Sequence, residues 1–552
     1  MTLTDVIMRA RKRMPARIAA MSRYDLAVWA LLATLIVLVC ATYSSYAISN
    51  DEEVQQRYGE LIVAYYTSGF TDRSLFHFVN LYLYGGLFDI VAVLTERALP
   101  FVDPYTVRHL LSAFFGIAGI GAACASARLV AGPRAGAIAA FALAVCGPWY
   151  GAMFNHTKDI PFAAAMMGAT YFLLRAARDL PHPRRLDVIG FGLTLGAALG
   201  LRVLALLLIG YVAAALLMRL PSRSDASPRE RLRFFAESIL AFVPAFVIGY
   251  IVMIAAWPWS ALAPLNPLRG LIDFGHFHYQ IRTLLDGHVY TMADVPRWYV
   301  PAYLAIKLPL VMLIGAALAF VFVLPSARAA WRSARQRSET ALIALIAGFP
   351  VLCEVIDKGP AFTGMRHFLF VVPAFAVLAG IGLDFVLARF EARRNWFAFG
   401  GLSAAIVSVL AWNAVLLVEL HPYEYLFYNS LVGGLEGASG RYVTDYWVNI
   451  MPEAVDELED YVARLDETAG GGLPRYKVAV CGEKLPFEKK ANSRLQWTSD
   501  WSKADFFIAP THMNCDRVLA GVEIATIKRL GARIGVVKDR RALVRAQIAG
   551  RQ

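Results

Sequence analysis

The stretch "YAISNDEEVQQRYGE", Tyr46 to Glu60, decides how this chain is read. An apolar run ends at Ile48, and the carboxylates Asp51, Glu52 and Glu53 follow at once. A dense negative charge at the end of an apolar segment is either a solvated cap or the working end of a site. Which of the two holds depends on what the rest of the chain brings to the same place.

Composition points to a membrane. Of 552 residues, 58% are hydrophobic and only 17% are charged, and the mean hydropathy is +0.50. Soluble domains of this length do not hide so much apolar surface, so the expected class is a polytopic α-helical membrane protein. The net charge of +12 does not indicate a nucleic-acid partner, because the arginines fall between apolar runs rather than on one patch.

Runs long enough to cross ~30 Å of hydrocarbon lie near 26–48, 107–130, 135–152, 160–177, 187–201, 203–218, 235–256, 301–324, 340–356, 367–388 and 397–419, about eleven in all. The run 187–218 is too long for one helix and carries Arg202 at its middle, so two short helices joined by a tight turn are expected there. Six Lys or Arg precede the first span, in "RARKRMPARIAAMSR". Further clusters lie at Arg175–Arg185, Arg219–Arg233, Arg328–Arg337 and Arg389–Arg394. By the positive-inside rule these face the cytoplasm, which places the N-terminus inside and the C-terminal region outside, as in a bacterial inner membrane. The first segment lacks a small-residue cleavage site, so it is read as an uncleaved helix.

The outer side then receives a long first loop (49–106), the segment "MFNHTKDIP" (153–161), the aromatic-rich 275–307, "DKGPAFTGMRHFLF" (357–370) and everything from 421 onward. The expected division is a transmembrane domain over 1–420 and a soluble domain over 421–552. In the latter, "YKVAVCGE", "ADFFIAP" and "ARIGVVKD" read as short buried strands beside the amphipathic helix "PEAVDELEDYVARL", a small α/β domain. Its cysteines, Cys481 and Cys515, are candidates for a disulfide outside the cytoplasm. His276 and His278 are two apart, but no other ligand accompanies them. No CxxC, HExxH or GxxxxGK[ST] pattern occurs, so no metal or nucleotide cofactor is indicated.

Chemistry is concentrated at the outer ends of the spans. Asp51 and Asp159 each precede a helical stretch and suit an N-cap. Their company suggests more: His156 and Lys158 adjoin Asp159, Arg57 follows Asp51, Arg202 sits at an outward turn, and Arg366–His367 opens a span. Cations and carboxylates gathered at one membrane face suit a site that holds a phosphate leaving group while a carboxylate takes a hydroxyl proton. His421 and Tyr423, where the chain leaves its last helix, are further candidates for lining such a site.

At these residues a family resemblance enters. "NDEEVQQRYG" resembles the first outer-loop acidic motif of the C-type membrane glycosyltransferases (the GT-C superfamily), in particular the protein O-mannosyltransferases, the aminoarabinose transferases and their bacterial relatives. "FNHTKDIPFAAAMMGATYFLLRA" resembles their second outer loop, and "GMRHFLFVVPAFAVLAGIGL" and "HPYEYLFYNSLVGG" resemble further segments of bacterial members. The resemblance implies a GT-C-like fold and transfer of a sugar from a polyprenyl-phosphate donor to a glycan, lipid or protein acceptor, with inversion. It implies Asp51 as general base with Glu52 beside it, and Asp159 as the second acidic residue. Lys158, Arg57 and Arg202 are then candidates for the lipid phosphate, with His156, Arg366, His367, His421 and Tyr423 as further binding candidates. The family motif is an Asp-Glu pair, whereas three acids stand here. Asp51 and Glu52 differ by ~100° around a helix and do not face the same way; Asp51 is the expected base. The alternative from another class is a transporter or flippase of a lipid-linked sugar, which would set its charges near midplane on broken helices.

Overall fold

The computed structural model describes residues 21–219, 227–275, 281–324, 333–357, 361–469 and 474–549. The basic N-terminal segment before residue 21, the pair His276 and His278, and part of the 328–337 cluster lie outside them.

Each expected apolar run is helical, but not each is long enough to span. Among the described residues, seven helices are long and apolar enough: Arg23–Ser45, Pro104–Ala131, Asp159–Arg178, Pro228–Ala256, Ala334–Asp357, Arg366–Ala392 and Trp396–Leu420. An eighth is added if Pro133–Ala144 and Gly147–Asn155, bent by 62° at their junction, form one broken span. The difference from eleven is one of length. Arg185–Leu199 has 15 residues, ~22 Å of helix, short of ~30 Å of hydrocarbon. The apolar helices Val203–Arg219 and Leu310–Val323 are shorter than a span as well. The run expected at 301–324 divides into Tyr299–Lys307 and Leu310–Val323, because Pro309 cannot continue the first helix. The run 187–218 breaks at Gly200–Arg202, as its length demands.

That break is where the first loop docks. Gly86 N–H donates to Ala256 O (2.9 Å) and Leu87 N–H to Gly200 O (3.0 Å). A Cβ on Gly85 would lie 2.1 Å from the Gly200 carbonyl, so only glycine allows this approach. Elsewhere the loop forms the helix Glu52–Thr67, two short 3-10 turns and the helix Leu87–Ala98. Trp257 is fully buried and donates its indole N–H to Tyr82 O (2.8 Å).

The C-terminal region carries a five-stranded sheet of order β4-β3-β5-β7-β6, with β3 Tyr476–Val480, β4 Leu495–Trp497, β5 Phe506–Pro510, β6 Val522–Arg529 and β7 Ala532–Asp539. β3 pairs parallel with β4 and β5, and the β5–β7 and β6–β7 pairs are antiparallel. The remaining strands, β1 Arg282–Leu285 and β2 His288–Thr291, form a separate hairpin before the helix Tyr299–Lys307. Cys481 and Cys515 are joined in a disulfide.

Candidate functional site

The two acidic loops meet. Ser49 Oγ donates to Asn155 O (3.2 Å), and the Asn155 amide donates to Ala47 O (3.3 Å) and to Asn449 Oδ1 (3.0 Å). Thr157 donates to Gln55 Oε1 from below. These bonds lock the exit of the first helix against the segment 155–159.

Asp51 occupies the N-cap position of Glu52–Thr67 yet makes no capping hydrogen bond. Its Oδ2 accepts instead from Arg366 Nη2. Asp159, in the first turn of its own helix, is likewise drawn off: Oδ1 accepts from Arg202 Nη2 and Oδ2 from Arg366 Nε at 3.0 Å. Arg366 therefore bridges the two acids, and its guanidinium lies 4.1 Å over the Trp447 ring. Asp159 is almost sealed, at 3% exposure, whereas Asp51 is 41% exposed. One acid holds the cations in place and the other remains accessible.

Glu52 points elsewhere. Its side chain is fully buried, accepts from Ser49 N–H (2.6 Å) and faces His109 Nε2 at 3.1 Å. The ~100° separation expected between neighbours on a helix is thus realised, with Asp51 in the cavity and Glu52 beneath it.

Asp51, Lys158, Arg202, Arg366 and His367 line one polar cavity of about 450 Å³. Lys158 makes no ion pair among the described residues; its ammonium sits 4.5 Å over the Tyr84 ring. Burial pushes it down to about 8, against the pull of Asp89 and Asp51 and with the help of Arg202 and Arg366. A second, mainly apolar cavity of about 540 Å³ adjoins the first and shares Tyr84, Arg202, Phe362 and His367 with it. Among the described residues, no group of three or more His, Cys, Asp or Glu is placed to hold a metal ion.

Other expected residues are placed outside the cavity. Arg57 is exposed and pairs with Glu60 (2.8 Å), its helix turning it to solvent. His156 lies behind the cavity wall, edge-on to the Tyr425, Tyr446 and Trp447 rings, and burial pushes it down to about 3, so it stays neutral. His421 bonds Glu424 through Nδ1 (2.8 Å), and Tyr423 donates to Glu453 (2.8 Å) under the Arg529 guanidinium. Tyr423 is turned toward the C-terminal sheet, whereas the His421 ring stays edge-on to Tyr46 beside the first helix, and neither lines the cavity. Sequence reasoning missed Tyr84, Trp447 and His512, which line the cavity from remote segments. Tyr84 stands beside the glycine pair 85–86, the one local signal available; the other two carry none.

Residues 101–258 match the family model described as dolichyl-phosphate-mannose-protein mannosyltransferase. No curated protein matches the chain in sequence. Among solved structures, ArnT from Cupriavidus metallidurans bound to undecaprenyl phosphate is 16% identical, with a TM-score of 0.45 over 94% of this chain and 98% of that one. The Archaeoglobus fulgidus oligosaccharyltransferase AglB, in complex with an inhibitory peptide and a dolichol-phosphate, is 13% identical, with a TM-score of 0.46 over 88% and 69%. The arabinofuranosyltransferase AftD from Mycobacteria is 12% identical, with a TM-score of 0.42 over 94% of this chain and 42% of that one. Over residues 101–258, which include Lys158, Asp159 and Arg202, the chain carries the sequence pattern of the dolichyl-phosphate-mannose-protein mannosyltransferases, the C-type membrane glycosyltransferase group that its outer-loop motifs resemble.

Proposed function

We propose that the chain transfers a sugar from a polyprenyl-phosphate donor to an acceptor hydroxyl on the outer face of the membrane. The observation that carries this reading is the pair of joined cavities. A donor of this class needs an apolar slot for its prenyl chain and a polar chamber for its phosphate and sugar. The two cavities meet at Arg202, Tyr84, Phe362 and His367, where the phosphate of such a molecule would lie. Lys158, a cation with no carboxylate paired to it, and Arg202 then hold that phosphate.

Asp51 is the base, since it is the accessible acid of the cavity. It takes the acceptor proton as the acceptor oxygen bonds the anomeric carbon from the side opposite the leaving group. The bond from that carbon to the phosphate oxygen breaks, and its electron pair leaves with the polyprenyl phosphate, so the configuration inverts. Asp159 keeps Arg202 and Arg366 oriented. Arg366 gives Asp51 its direction and shares its charge with the phosphate as negative charge builds up there. Residues 1–420 form the transferase domain and 421–552 an outer domain that closes the cavity. The charged groups stand at helix ends rather than within apolar helices, which favours transfer over transport.

The test is in-membrane transfer from a set of radiolabelled polyprenyl-phosphate sugars, wild type against Asp51→Asn. Loss of transfer by about 100-fold or more is expected, the scale of general-base catalysis. Equal transfer by the variant removes Asp51 as the base, and absence of transfer from every donor removes the reading.

A further inference from the structure

The five-stranded sheet of the C-terminal domain meets the cavity at the loop after β5, apart from Tyr446 and Trp447, which line it from the preceding segment. His512 follows β5 by two residues and lines the same chamber as Asp51, Arg366 and Trp447. Neither ring nitrogen bonds a described residue, and Nδ1 is buried. A buried polar nitrogen left unbonded is costly, and natural sites keep such groups for a ligand.

The loop is built to hold this ring still. Met513 and Asn514, directly after it, have φ of 55° and 59°, a left-handed conformation that side chains disfavour. Fixed points flank the strained pair. On one side, Thr511 N–H donates to Ile534 O and Thr511 Oγ to Arg533 O, both at 2.9 Å. On the other, Cys515 is tied to Cys481, and Lys538 Nζ donates to Asp516 O at 2.5 Å. A strained turn pinned on both sides presents one side chain in one place.

We infer that His512 is a specificity-determining residue that hydrogen-bonds a hydroxyl of the bound sugar or of the acceptor, positioned by the disulfide-pinned loop. The inference rests on the glycosyl-transfer reading. A hydroxyl is the matching chemistry, because burial lowers the ring to about 4 and leaves it neutral, with one donor and one acceptor nitrogen. The phosphate has its own partners in Lys158 and Arg202.

The experiment uses the full chain in lipid nanodiscs with a donor that the wild type accepts, comparing His512→Ala, His512→Gln and the double variant Cys481→Ser/Cys515→Ser. The His512→Ala change should raise one KM by about tenfold, with kcat changed much less, the loss of one hydrogen bond to a buried partner. A rise in the donor KM places the hydroxyl on the transferred sugar, and a rise in the acceptor KM places it on the acceptor. His512→Gln, which keeps a donor and an acceptor, should recover part of the loss. The double cysteine variant should raise the same KM, and adding His512→Ala to it should raise it little further. Should His512→Ala fail to fold, His512→Gln and the wild type with its disulfide reduced decide by the same KM. Unchanged KM values in an active protein overturn the role of His512 alone. A wild type that transfers from no donor overturns the glycosyl-transfer reading, and this inference with it.

Discussion

At the residue scale, the decisive contrast is between the two neighbours Asp51 and Glu52. Their sequence context is nearly identical, and helix geometry alone says only that they face apart. Which of them faces the cavity is decided by His109, Ser49 and Arg366, which lie 57, 3 and 315 positions away from their partners. Lys158 supports a pH prediction. Its ammonium is lowered to about 8 by burial, so the charge is complete below pH 7 and is lost as pH rises through 8. If Lys158 holds the donor phosphate, the donor KM should rise severalfold between pH 7 and 9. Lys158→Arg, whose charge persists throughout, should flatten that rise. A donor KM equally pH-dependent in both proteins would remove Lys158 from the phosphate site. The sign for folding is opposite: because the unfolded lysine binds its proton more tightly, stability should increase between pH 8 and 10.

At the scale of elements, sequence periodicity located the helices, and among the described residues seven, or eight with the bent pair, are long and apolar enough to span where eleven runs were expected. The break at Gly200–Arg202 was legible because no helix of that length fits a bilayer with an arginine at its centre. The break at Pro309 and the bend before Gly147–Pro148 each carry a proline that an unbroken helix does not run through, although the runs 301–324 and 135–152 read as continuous by hydropathy. The docking of Gly85 on Gly200 was not legible, since it joins segments 115 positions apart that pair through backbone atoms. That contact places Tyr84 and Arg202 at the mouth between the two cavities. Gly85→Ala should therefore push the loop outward, costing about 1–3 kcal/mol as an overpacked contact does. Thermal unfolding should show a lowered Tm, and transfer assays a raised donor KM with kcat less affected. A Tm and a KM both like those of the wild type would show that the loop has room to spare.

At the scale of the whole molecule, the C-terminal region is woven into the helical part rather than appended to it. The segment Glu424–Phe427 runs so close to the helix Gly147–Asn155 that a Cβ on Gly151 would lie 2.1 Å from Tyr425 N. Arg529 of β6 donates to Glu453 (2.6 Å) and to His421 O (3.3 Å), and Lys489 reaches Asp103 (2.8 Å) at the start of a spanning helix. The same return gives Tyr423, expected near the cavity from its place at a helix exit, the partners Glu453 and Arg529, while His421 beside it stays against Tyr46 and Glu424. It also gives the disulfide a consequence beyond its own domain. Cys481 and Cys515 are 34 positions apart, and their cross-link should stabilise the folded sheet by about 4 kcal/mol, chiefly by restricting the unfolded chain. Reduction, or the double serine variant, should therefore lower the denaturant midpoint reported by hydrogen exchange of the sheet amides while the far-UV signal of the apolar helices holds to higher denaturant. Transfer should fall at the earlier midpoint, because the sheet carries His512 and anchors the chain that leads back to Trp447. Activity that survives to the later midpoint would mean that the helices alone complete the cavity.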